Sequence, residues 1–350
     1  MRLFRWFYWH FAGLTLNVYW AVNRLMNSIF IPPRGFSNPH IQTLWPSAFR
    51  PAINLNRQRE RLLTEDKDFF EVDWYGDGQK GVVMLLHGLT GSSNSHYILG
   101  LQQALAKAGY RVVAINFRGC SGEHNLKAGS YHAGFTDDIE QLYQLIQSRY
   151  MGLPIYSIGF SLGGNMMLKW LGENASNINV QAAMAVSVPY RLAVCADRID
   201  QGFSKLYRYH LISLMKKQLA NKKRFLATQG LKHELERLSA LGNIQKITTF
   251  WQFDHHVVAA LHGFDDVHSY YAQCSSVSYL KSIKAETLLV NALDDPFMTP
   301  AALPTKQELA SHTRLITTQQ GGHVGFMIKQ GSTFEYWLES LALNFLRTIG

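Results

Sequence analysis

The sequence carries a serine, an aspartate and a histidine, in that order, at positions where each follows a short apolar run. Ser161 is the middle residue of the pattern G-x-S-x-G at residues 159–163, and Asp295 and His323 lie much further along the chain. A serine hydroxyl becomes an effective nucleophile when a histidine takes its proton and a carboxylate orients that histidine. The pattern therefore predicts covalent catalysis by Ser161, with His323 as the base and Asp295 as the acid.

The segment around Ser161 favours a sharp turn between a strand and a helix. The apolar run 155–158 precedes the serine, and a helix is predicted to begin at Gly164. Such a turn leaves no room for side chains two residues before and two residues after the serine, and both of these residues are glycine. A helix that begins there directs free N–H groups toward a developing oxyanion. A purely structural Ser-Gly turn is the alternative interpretation.

The predicted base and acid each follow a predicted strand. Strand 313–318 leads into His323, and strand 287–291 leads into the adjacent pair Asp294 and Asp295. Neighbouring side chains on an extended segment point in opposite directions, so only one of the two carboxylates can face the histidine. A proline follows Asp295 and restricts it to extended backbone, which favours Asp295 as the acid. Asp294 is expected to cap the turn or the next helix.

A loop after an early apolar run is predicted to contribute to the oxyanion site. The loop 87–91 follows the strand predicted at 82–86. We expect the backbone N–H groups of Leu89 and Leu162 to form the donor pair. His87 is expected to be structural and to tie its loop through hydrogen bonds.

Two more polar residues follow a predicted strand that ends at residue 116. Arg118 is expected to fix loops through hydrogen bonds to carbonyl groups, with substrate contact as the alternative. Cys120 has no obvious base beside it, so we do not expect it to act as a nucleophile.

Strands and helices alternate along most of the chain, with short loops between them. This alternation predicts an α/β protein with a mostly parallel sheet and helices on both faces. The stretch 69–74 is predicted to be a half-exposed strand, and the charged run 57–61 is interpreted as a solvated helix face. The other predicted strands are 82–86, 111–116, 155–158, 182–187, 287–291 and 313–318, and the predicted helices include 97–108, 137–149, 164–171 and 334–346.

The alternation stops between about residues 190 and 283, where the chain is predicted to be helical and irregular. An insertion between two strands of one sheet is expected to form a cap over the carboxyl-terminal edge of the sheet, where open α/β sheets bind ligands. We therefore divide the chain into an N-terminal helix and arm, residues 1–60, and a main domain, residues 61–350, that contains the cap.

Six further stretches, taken together with the turn at Ser161, resemble proteins of the α/β-hydrolase fold family. They are NPHIQT at 38–43, HGLTGS at 87–92, NFRGCSG at 116–122, YHAG at 131–134, DDP at 294–296 and GHVGF at 322–326. The similarity is to the YheT-like branch, which also holds eukaryotic hydrolase-domain lipases related to phospholipases. It extends from about residue 35 onward and implies that Ser161, Asp295 and His323 are nucleophile, acid and base, with the acid immediately before the proline.

The resemblance implies a serine hydrolase that cleaves carboxylic esters, either acyl esters or lipids, through an acyl-enzyme intermediate. Two alternatives stay open: an acyltransferase that uses the same three residues, and a non-catalytic scaffold that binds lipid or a partner. No cofactor is expected. The histidine-rich stretch 254–268 is the candidate metal site, but its spacing matches no regular ligand set and the chemistry needs no metal.

The composition predicts a large globular protein and argues against several other classes. The chain has 350 residues, 47% of them hydrophobic, and a formal net charge of +9. Its basic residues are mostly scattered and no nucleic-acid motif is present, so we expect no nucleic-acid partner. The three cysteines form neither a disulfide framework nor a metal pattern, which favours a reducing, cytoplasmic location.

The first 30 residues are unusually aromatic. Between Trp6 and Asn23 the chain has no lysine, arginine, aspartate or glutamate. We interpret residues 1–30 as a helix that packs on the body of the protein or lies at a membrane surface, which would make any membrane contact peripheral. A membrane span and an irregular arm are the alternatives.

Overall fold

An eight-stranded sheet forms the centre of the protein. The computed structural model describes residues 30–331 and 333–349. The strands of the sheet are β1 Gln58–Leu63, β2 Phe69–Tyr75, β3 Val82–Leu86, β4 Arg111–Asn116, β5 Ile155–Phe160, β6 Val180–Val186, β7 Glu286–Ala292 and β8 Thr313–Thr318. They lie in the order β1-β2-β4-β3-β5-β6-β7-β8. Only the pairs β1–β2 and β2–β4 are antiparallel, which confirms the predicted mostly parallel sheet.

Helices lie on both faces of this sheet. The α-helical segments of the described residues are α1 Pro39–Phe49, α2 His96–Lys107, α3 Asp137–Arg149, α4 Leu162–Glu173, α5 Leu192–Ile199, α6 Ser204–Thr228, α7 Lys232–Ala240, α8 with its three parts Phe250–Phe253, the π-helical turn Asp254–Ala259 and Ala260–His262, α9 Val267–Cys274 and α10 Trp337–Ile349. Of these, α3 and α4 pack on one face of the sheet, and α2 and α10 pack on the other. Successive residues of β3 point to opposite faces. Met84 packs in the apolar cluster of Trp170 on α4, and Leu85 packs in the cluster of Leu101 on α2 and Phe345 on α10.

The insertion between β6 and β7 contains the helices α5 to α9 and no strand. Much of it has an apolar core of its own, which includes Ile212 and Met215 of α6, Leu238 of α7 and Val257 of α8. The helical character predicted for about residues 190–283 is therefore observed, and the segment packs as a unit beside the sheet.

The charged run 57–61 lies mostly in the edge strand β1 and not on a helix, so this expectation was wrong. Arg59 lies opposite Asp73, and Arg61 lies opposite Glu71, on the antiparallel neighbour β2. Each arginine forms an ion pair with the acid it faces, at 3.0 Å and 2.7 Å respectively. These pairs neutralise the acids of β2, which explains why that strand is almost entirely buried instead of half-exposed.

The last helix begins at Trp337, later than the predicted start at residue 334. Residues Thr333–Tyr336 form a strand, β10, that pairs antiparallel with β9, Met327–Gln330. Gly331 supplies the positive φ of 61° at the turn of this hairpin. The helical spacing of apolar residues is continuous across this boundary, so periodicity alone could not separate the strand from the helix.

The arm expected before residue 60 contains the helix α1. Asn38 caps it by accepting hydrogen bonds from the N–H groups of His40 (2.8 Å) and Ile41 (3.3 Å), and Pro39 occupies the first turn. The aromatic helix expected over residues 1–30 lies outside the described residues, except for Phe30, which is buried against Phe326 and Trp337.

Helices that cross a bilayer need about 20 mostly apolar residues. Across residues 30–331 and 333–349, no helix is both long enough and apolar enough to do so.

Candidate active site

Ser161 lies at the turn between β5 and α4, in a strained backbone conformation. Its φ and ψ are 50° and −123°, a region that residues with a side chain rarely adopt. The turn is held because the Ser161 N–H donates to the carbonyl of Val186 at 2.8 Å. A Cβ atom at Gly163 would lie 2.2 Å from the carbonyl oxygen of His87, and one at Gly159 would lie 2.7 Å from the Cα of the facing glycine. The tight strand-turn-helix corner predicted from the glycine spacing is present.

The structure brings Asp295 and His323 to the same place as Ser161. His323 follows β8, and its Nε2 lies 3.0 Å from Ser161 Oγ. Its Nδ1 lies 2.8 Å from Oδ2 of Asp295. Asp295 belongs to the loop that follows β7. Because β5, β7 and β8 are parallel strands of one sheet, their carboxyl ends meet at one edge, and the three side chains form a continuous chain of hydrogen bonds there.

The two adjacent aspartates have different partners. Asp295 is 2% exposed, and its Oδ1 accepts from the N–H of Phe297 at 2.8 Å while Oδ2 faces His323. Asp294 instead accepts from the N–H of Gly322 at 3.0 Å, so it holds the loop that carries His323. Burial raises the pKa of Asp294 above its usual range. The cap expected for Asp294 is therefore formed on a neighbouring loop and not on its own turn.

His323 has contacts both at its ring and at the backbone that carries it. The ring of Phe297 stacks on it with centroids 4.1 Å apart and an interplanar angle of 15°. Thr43 of α1 accepts a hydrogen bond from the His323 N–H at 2.9 Å. Ser187 accepts from the next N–H, that of Val324, at 3.1 Å. The stacking restricts the ring itself, and the two hydrogen bonds fix the backbone that carries it.

Leu89 and Leu162, the predicted pair of oxyanion donors, both lie on segments next to Ser161. Leu162 is the first residue of α4, and Leu89 belongs to the loop that faces Ser161. A Cβ atom at Gly88 would lie 3.1 Å from the Cβ of Ser161, so a glycine is needed for this close approach. The N–H groups on either side of Leu89 are occupied, since Gly88 donates to Tyr97 at 3.0 Å and Thr90 donates to Tyr131 at 2.9 Å. Neither Leu89 nor Leu162 donates its N–H to another of the described residues.

His87 is fully buried and ties its loop, as the sequence predicts. Its Nε2 accepts from the N–H of Phe117 at 3.3 Å, which requires a neutral imidazole with the proton on Nδ1. Nδ1 then donates to the carbonyl of Gly88 at 2.7 Å. Burial lowers the pKa of His87 to about 4, so the neutral form persists across the physiological range.

A cavity of about 370 Å³ extends from Ser161 and His323 beneath the insertion. Its walls combine the sheet edge with helices α5, α6 and α8, and the large apolar side chains that line it are Leu89, Leu162, Leu192, Ile199, Leu211, Met215, Leu219, Phe250, Phe253, Val257, Val258, Leu261, Phe297 and Met298. A cavity with this lining that ends at Ser161 suits a ligand with an extended hydrocarbon portion.

Arg118 anchors loops, but its partners are carboxylates and not the carbonyl groups that we expected. It pairs with Asp138 at 2.8 Å and with Asp66 at 2.6 Å, and its side chain is 6% exposed. Cys120 also lines the cavity, and burial raises the pKa of its thiol to about 12, which disfavours the thiolate.

The histidine-rich stretch 254–268 forms contacts unrelated to metal binding. Asp254 accepts from the hydroxyl of Tyr271 at 2.7 Å, and burial raises its pKa to about 7. Asp266 caps α9 through the N–H of Ser269. No group of three or more histidine, cysteine, aspartate or glutamate side chains is arranged to hold a metal ion in the described part of the chain.

Sequence reasoning missed the side chains that support the site. They are Thr43, Tyr97, Tyr131, Ser187 and Phe297. Thr43 and Tyr131 lie within the stretches 38–43 and 131–134 that carry part of the family resemblance, and that was the available signal for a role there. The other three follow from contacts between distant segments, which no local pattern indicates.

Comparison with known proteins agrees with this arrangement. Residues 81–330 match the alpha/beta hydrolase fold family. The putative esterase YheT of Escherichia coli is 36% identical over 327 residues, which cover 91% of this chain and 93% of YheT. Phospholipase ABHD3 of Homo sapiens is 27% identical over 281 residues, which cover 77% of this chain and 66% of that protein. The fold is similar to that of the Pyrococcus furiosus esterase Pf2001, with a TM-score of 0.53 and 19% identity over 85% of this chain and 94% of that one. The chain is thus a hydrolase and belongs to the alpha/beta hydrolase fold family.

Proposed function

We propose that this protein hydrolyses carboxylic esters of acyl chains or lipids through a Ser161–His323–Asp295 triad. The observation that carries the proposal is the continuous hydrogen-bonded chain from Asp295 Oδ2 through the imidazole to Ser161 Oγ, with separations of 2.8 Å and 3.0 Å. These distances are within the range over which a base accepts a nucleophile's proton. Similar proteins include a putative esterase, a phospholipase and a monoacylglycerol lipase, which supports esters as the substrate class.

The mechanism has two halves. Ser161 Oγ attacks the ester carbonyl while His323 Nε2 accepts its proton, and the N–H groups of Leu89 and Leu162 donate to the resulting oxyanion. The intermediate collapses, the ester C–O bond breaks, and His323 gives its proton to the leaving alcohol. A water molecule then attacks the acyl-enzyme with the same base, and the carboxylic acid leaves. Asp295 holds the imidazole with Nδ1–H toward itself throughout.

The domain organisation follows from this proposal. We assign residues 61–350 as the hydrolase domain and the insertion at about 190–283 as the cap that shapes the substrate cavity. Residues 1–60 would precede this domain as an N-terminal helix and arm. The chemistry proposed for the triad uses no metal or cofactor.

Covalent labelling tests the nucleophile directly. A fluorophosphonate probe should label the wild-type protein, and Ser161→Ala should abolish both labelling and ester turnover with little change in Tm. Ser157→Ala is the matched control. Ser157 is buried in β5, the strand that precedes Ser161, and its hydroxyl has no hydrogen-bond partner among the described residues. If Ser161→Ala retains most of the wild-type turnover, the triad assignment is wrong.

Two further experiments separate the alternatives. Adding an acceptor alcohol and analysing the products distinguishes hydrolysis from acyl transfer, since a transferase forms the new ester in preference to the free acid. A protein that binds ester substrates but neither reacts with fluorophosphonate nor turns them over would be a scaffold.

A further inference from the structure

A buried lysine lines the cavity on the side of helix α6. Lys222 is 3% exposed and belongs to the cavity wall. Its ammonium donates a hydrogen bond to the side-chain oxygen of Asn125. An ammonium group has three N–H donors, and removing it from water costs free energy unless the donors and the charge are compensated. One neutral acceptor compensates only part of this cost.

No carboxylate of the described residues is in direct contact with the ammonium of Lys222. In the portion of the chain that the structure describes, no carboxylate oxygen lies within 4.0 Å of its ammonium. The two acids that act on it from further away, Asp68 and Glu234, have other partners. Asp68 accepts from the Leu126 N–H at 2.6 Å and lies 3.4 Å from Arg118, and Glu234 accepts from the Ala128 N–H at 2.8 Å.

Arg118, which also lines the cavity and carries a positive charge, does have carboxylates in contact with it. Its guanidinium is surrounded by the carboxylates of Asp66, Asp68 and Asp138, at 2.6 Å, 3.4 Å and 2.8 Å. Its charge is therefore neutralised within the protein. Lys222, by contrast, has no carboxylate of the described part of the chain in contact with it. Burial lowers the pKa of this lysine to about 8, which leaves it mostly protonated at pH 7.

Lys222 lies about four helical turns from the end of α6 that packs beside the triad. Tyr207, near the start of α6, packs on Phe297 with ring centroids 5.0 Å apart, and Phe297 stacks on His323. Lys222 follows Tyr207 by about 15 residues, which corresponds to about 22 Å along a helix axis. Between them, Leu211, Met215 and Leu219 line the cavity at helical spacing. Along α6, the cavity wall therefore presents an apolar stripe, Leu211, Met215 and Leu219, between the end that packs beside the triad and the ammonium of Lys222.

From this arrangement we infer that the cavity takes esters that carry an anionic group, a carboxylate or a phosphate, separated from the ester carbonyl by a hydrocarbon portion, and that Lys222 binds this group. The inference rests on the proposed esterase function and narrows its substrate class. The hydrocarbon portion would contact the apolar stripe, and the anion would supply the contacting negative charge that the described residues do not give Lys222. A charge-assisted hydrogen bond of this kind is stronger than the bond to a neutral amide oxygen.

A purely structural role for Lys222 makes a different prediction. If the lysine only ties α6 to Asn125, its loss destabilises the wall and affects charged and neutral substrates alike. If it binds the anion, its loss affects only charged substrates. The ratio of kcat/KM for a charged and a neutral ester of equal length therefore separates the two roles.

The test compares matched ester pairs in two arms. In the first arm the anion is on the acyl part, as in the mono-p-nitrophenyl ester of sebacic acid against p-nitrophenyl decanoate. In the second arm it is on the alcohol part, as in 10-acetoxydecyl phosphate against decyl acetate. The variants are Lys222→Met, which removes the charge at similar volume, and Lys223→Met, which removes an exposed charge one residue away.

We expect Lys222→Met to lower kcat/KM about 10-fold or more for the charged ester in at least one arm, and less than 2-fold for its neutral partner. Lys223→Met should leave both unchanged. The arm that responds identifies which part of the substrate carries the anion. An unchanged charged-to-neutral ratio in both arms would overturn the inference while leaving the esterase proposal intact.

A binding measurement tests the inference without relying on turnover. Ser161→Ala protein should bind the sebacic monoester by calorimetry, and the added Lys222→Met change should weaken that binding about 10-fold. Failure of the esterase proposal would appear as absent turnover of all four esters, whereas failure of the inference would appear as equal binding with and without Lys222.

Discussion

Asp294 and Asp295 are adjacent in the chain, yet each carboxylate binds a different part of the site. Asp295 faces the imidazole of His323, and Asp294 holds the N–H of Gly322 on the loop that carries this histidine. Extended backbone before Pro296 turns the two side chains apart. One carboxylate therefore acts on the imidazole itself, and the other acts on the loop beneath it.

This division predicts unequal effects of two isosteric substitutions. Asp295→Asn should lower kcat about 10³–10⁴-fold, because an amide at this position favours the wrong imidazole tautomer. Asp294→Asn should cost far less in rate and lower the free energy of unfolding by about 1 kcal/mol, through a weakened hydrogen bond to the loop. Steady-state kinetics with a short p-nitrophenyl ester and denaturant unfolding of both variants provide the measurement. The reverse ranking in rate would transfer the role of the acid to Asp294.

The residues of the proposed triad were predictable because each has a local signal. Ser161 lies between two glycines at fixed spacing, and Asp295 and His323 follow strongly apolar strands. Phe297 gave no such signal, and Thr43 gave one only through the family resemblance of residues 38–43, because their contacts with His323 form only when distant segments meet. Sequence patterns identify residues whose role depends on a particular backbone conformation. They do not identify residues whose role depends only on a contact with a distant part of the chain.

Helix α1 shows how an element outside the sheet supports the site. Gln42 is fully buried, and its side chain accepts from the N–H of Met327 at 2.8 Å and donates to the carbonyl of Phe36 at 3.0 Å. A Cβ atom at Gly325 would lie 2.1 Å from the carbonyl oxygen of Gln42. The first part of the helix is thus in close contact with the loop that carries His323.

A change at Thr43 tests whether this contact matters for rate. Thr43→Val keeps the shape of the side chain but removes the acceptor for the His323 N–H, which leaves a half-buried donor unpaired. We expect kcat to fall about 5- to 10-fold, with KM little changed. Thr43→Ser, which keeps the hydroxyl, should stay within 2-fold of wild type. If the valine and serine variants are equally active, the hydrogen bond has no role in orienting the imidazole.

The strands of the sheet differ in how well the sequence predicted them. The central strand β3 is apolar throughout and β4 is apolar between its end residues, and their predicted bounds match the structure. β1 was missed because half of its residues Gln58–Leu63 are charged. A strand at the edge of a sheet that pairs its arginines with acids across the ladder lacks the apolar pattern on which strand prediction depends.

At the scale of the whole molecule, residues 1–29 are the segment whose role most needs an experiment. This segment is aromatic and includes Arg2, Arg5 and Arg24. The truncation should stop before Phe30, because that side chain is buried against Phe326 and Trp337.

We expect removal of residues 1–29 to reduce binding to anionic liposomes more than it reduces turnover of a short, soluble ester, because aromatic and basic side chains favour the membrane interface. Liposome co-sedimentation and p-nitrophenyl acetate turnover provide the two measurements. Neutral liposomes control for the role of charge. Equal co-sedimentation of both proteins would mean that these residues do not contribute to membrane contact.

The hydrogen bond between Thr43 and His323 also has a consequence for how the protein is made. It joins residues 280 positions apart, so it cannot form until nearly the whole chain has been synthesised. Domains tend to begin folding from the N-terminal side during translation, and contacts of such long range form late. A nascent chain would therefore display its serine turn for much of its synthesis while the histidine is still missing. We expect such a chain to be inert toward cellular esters until β8 and the loop that follows it have left the ribosome.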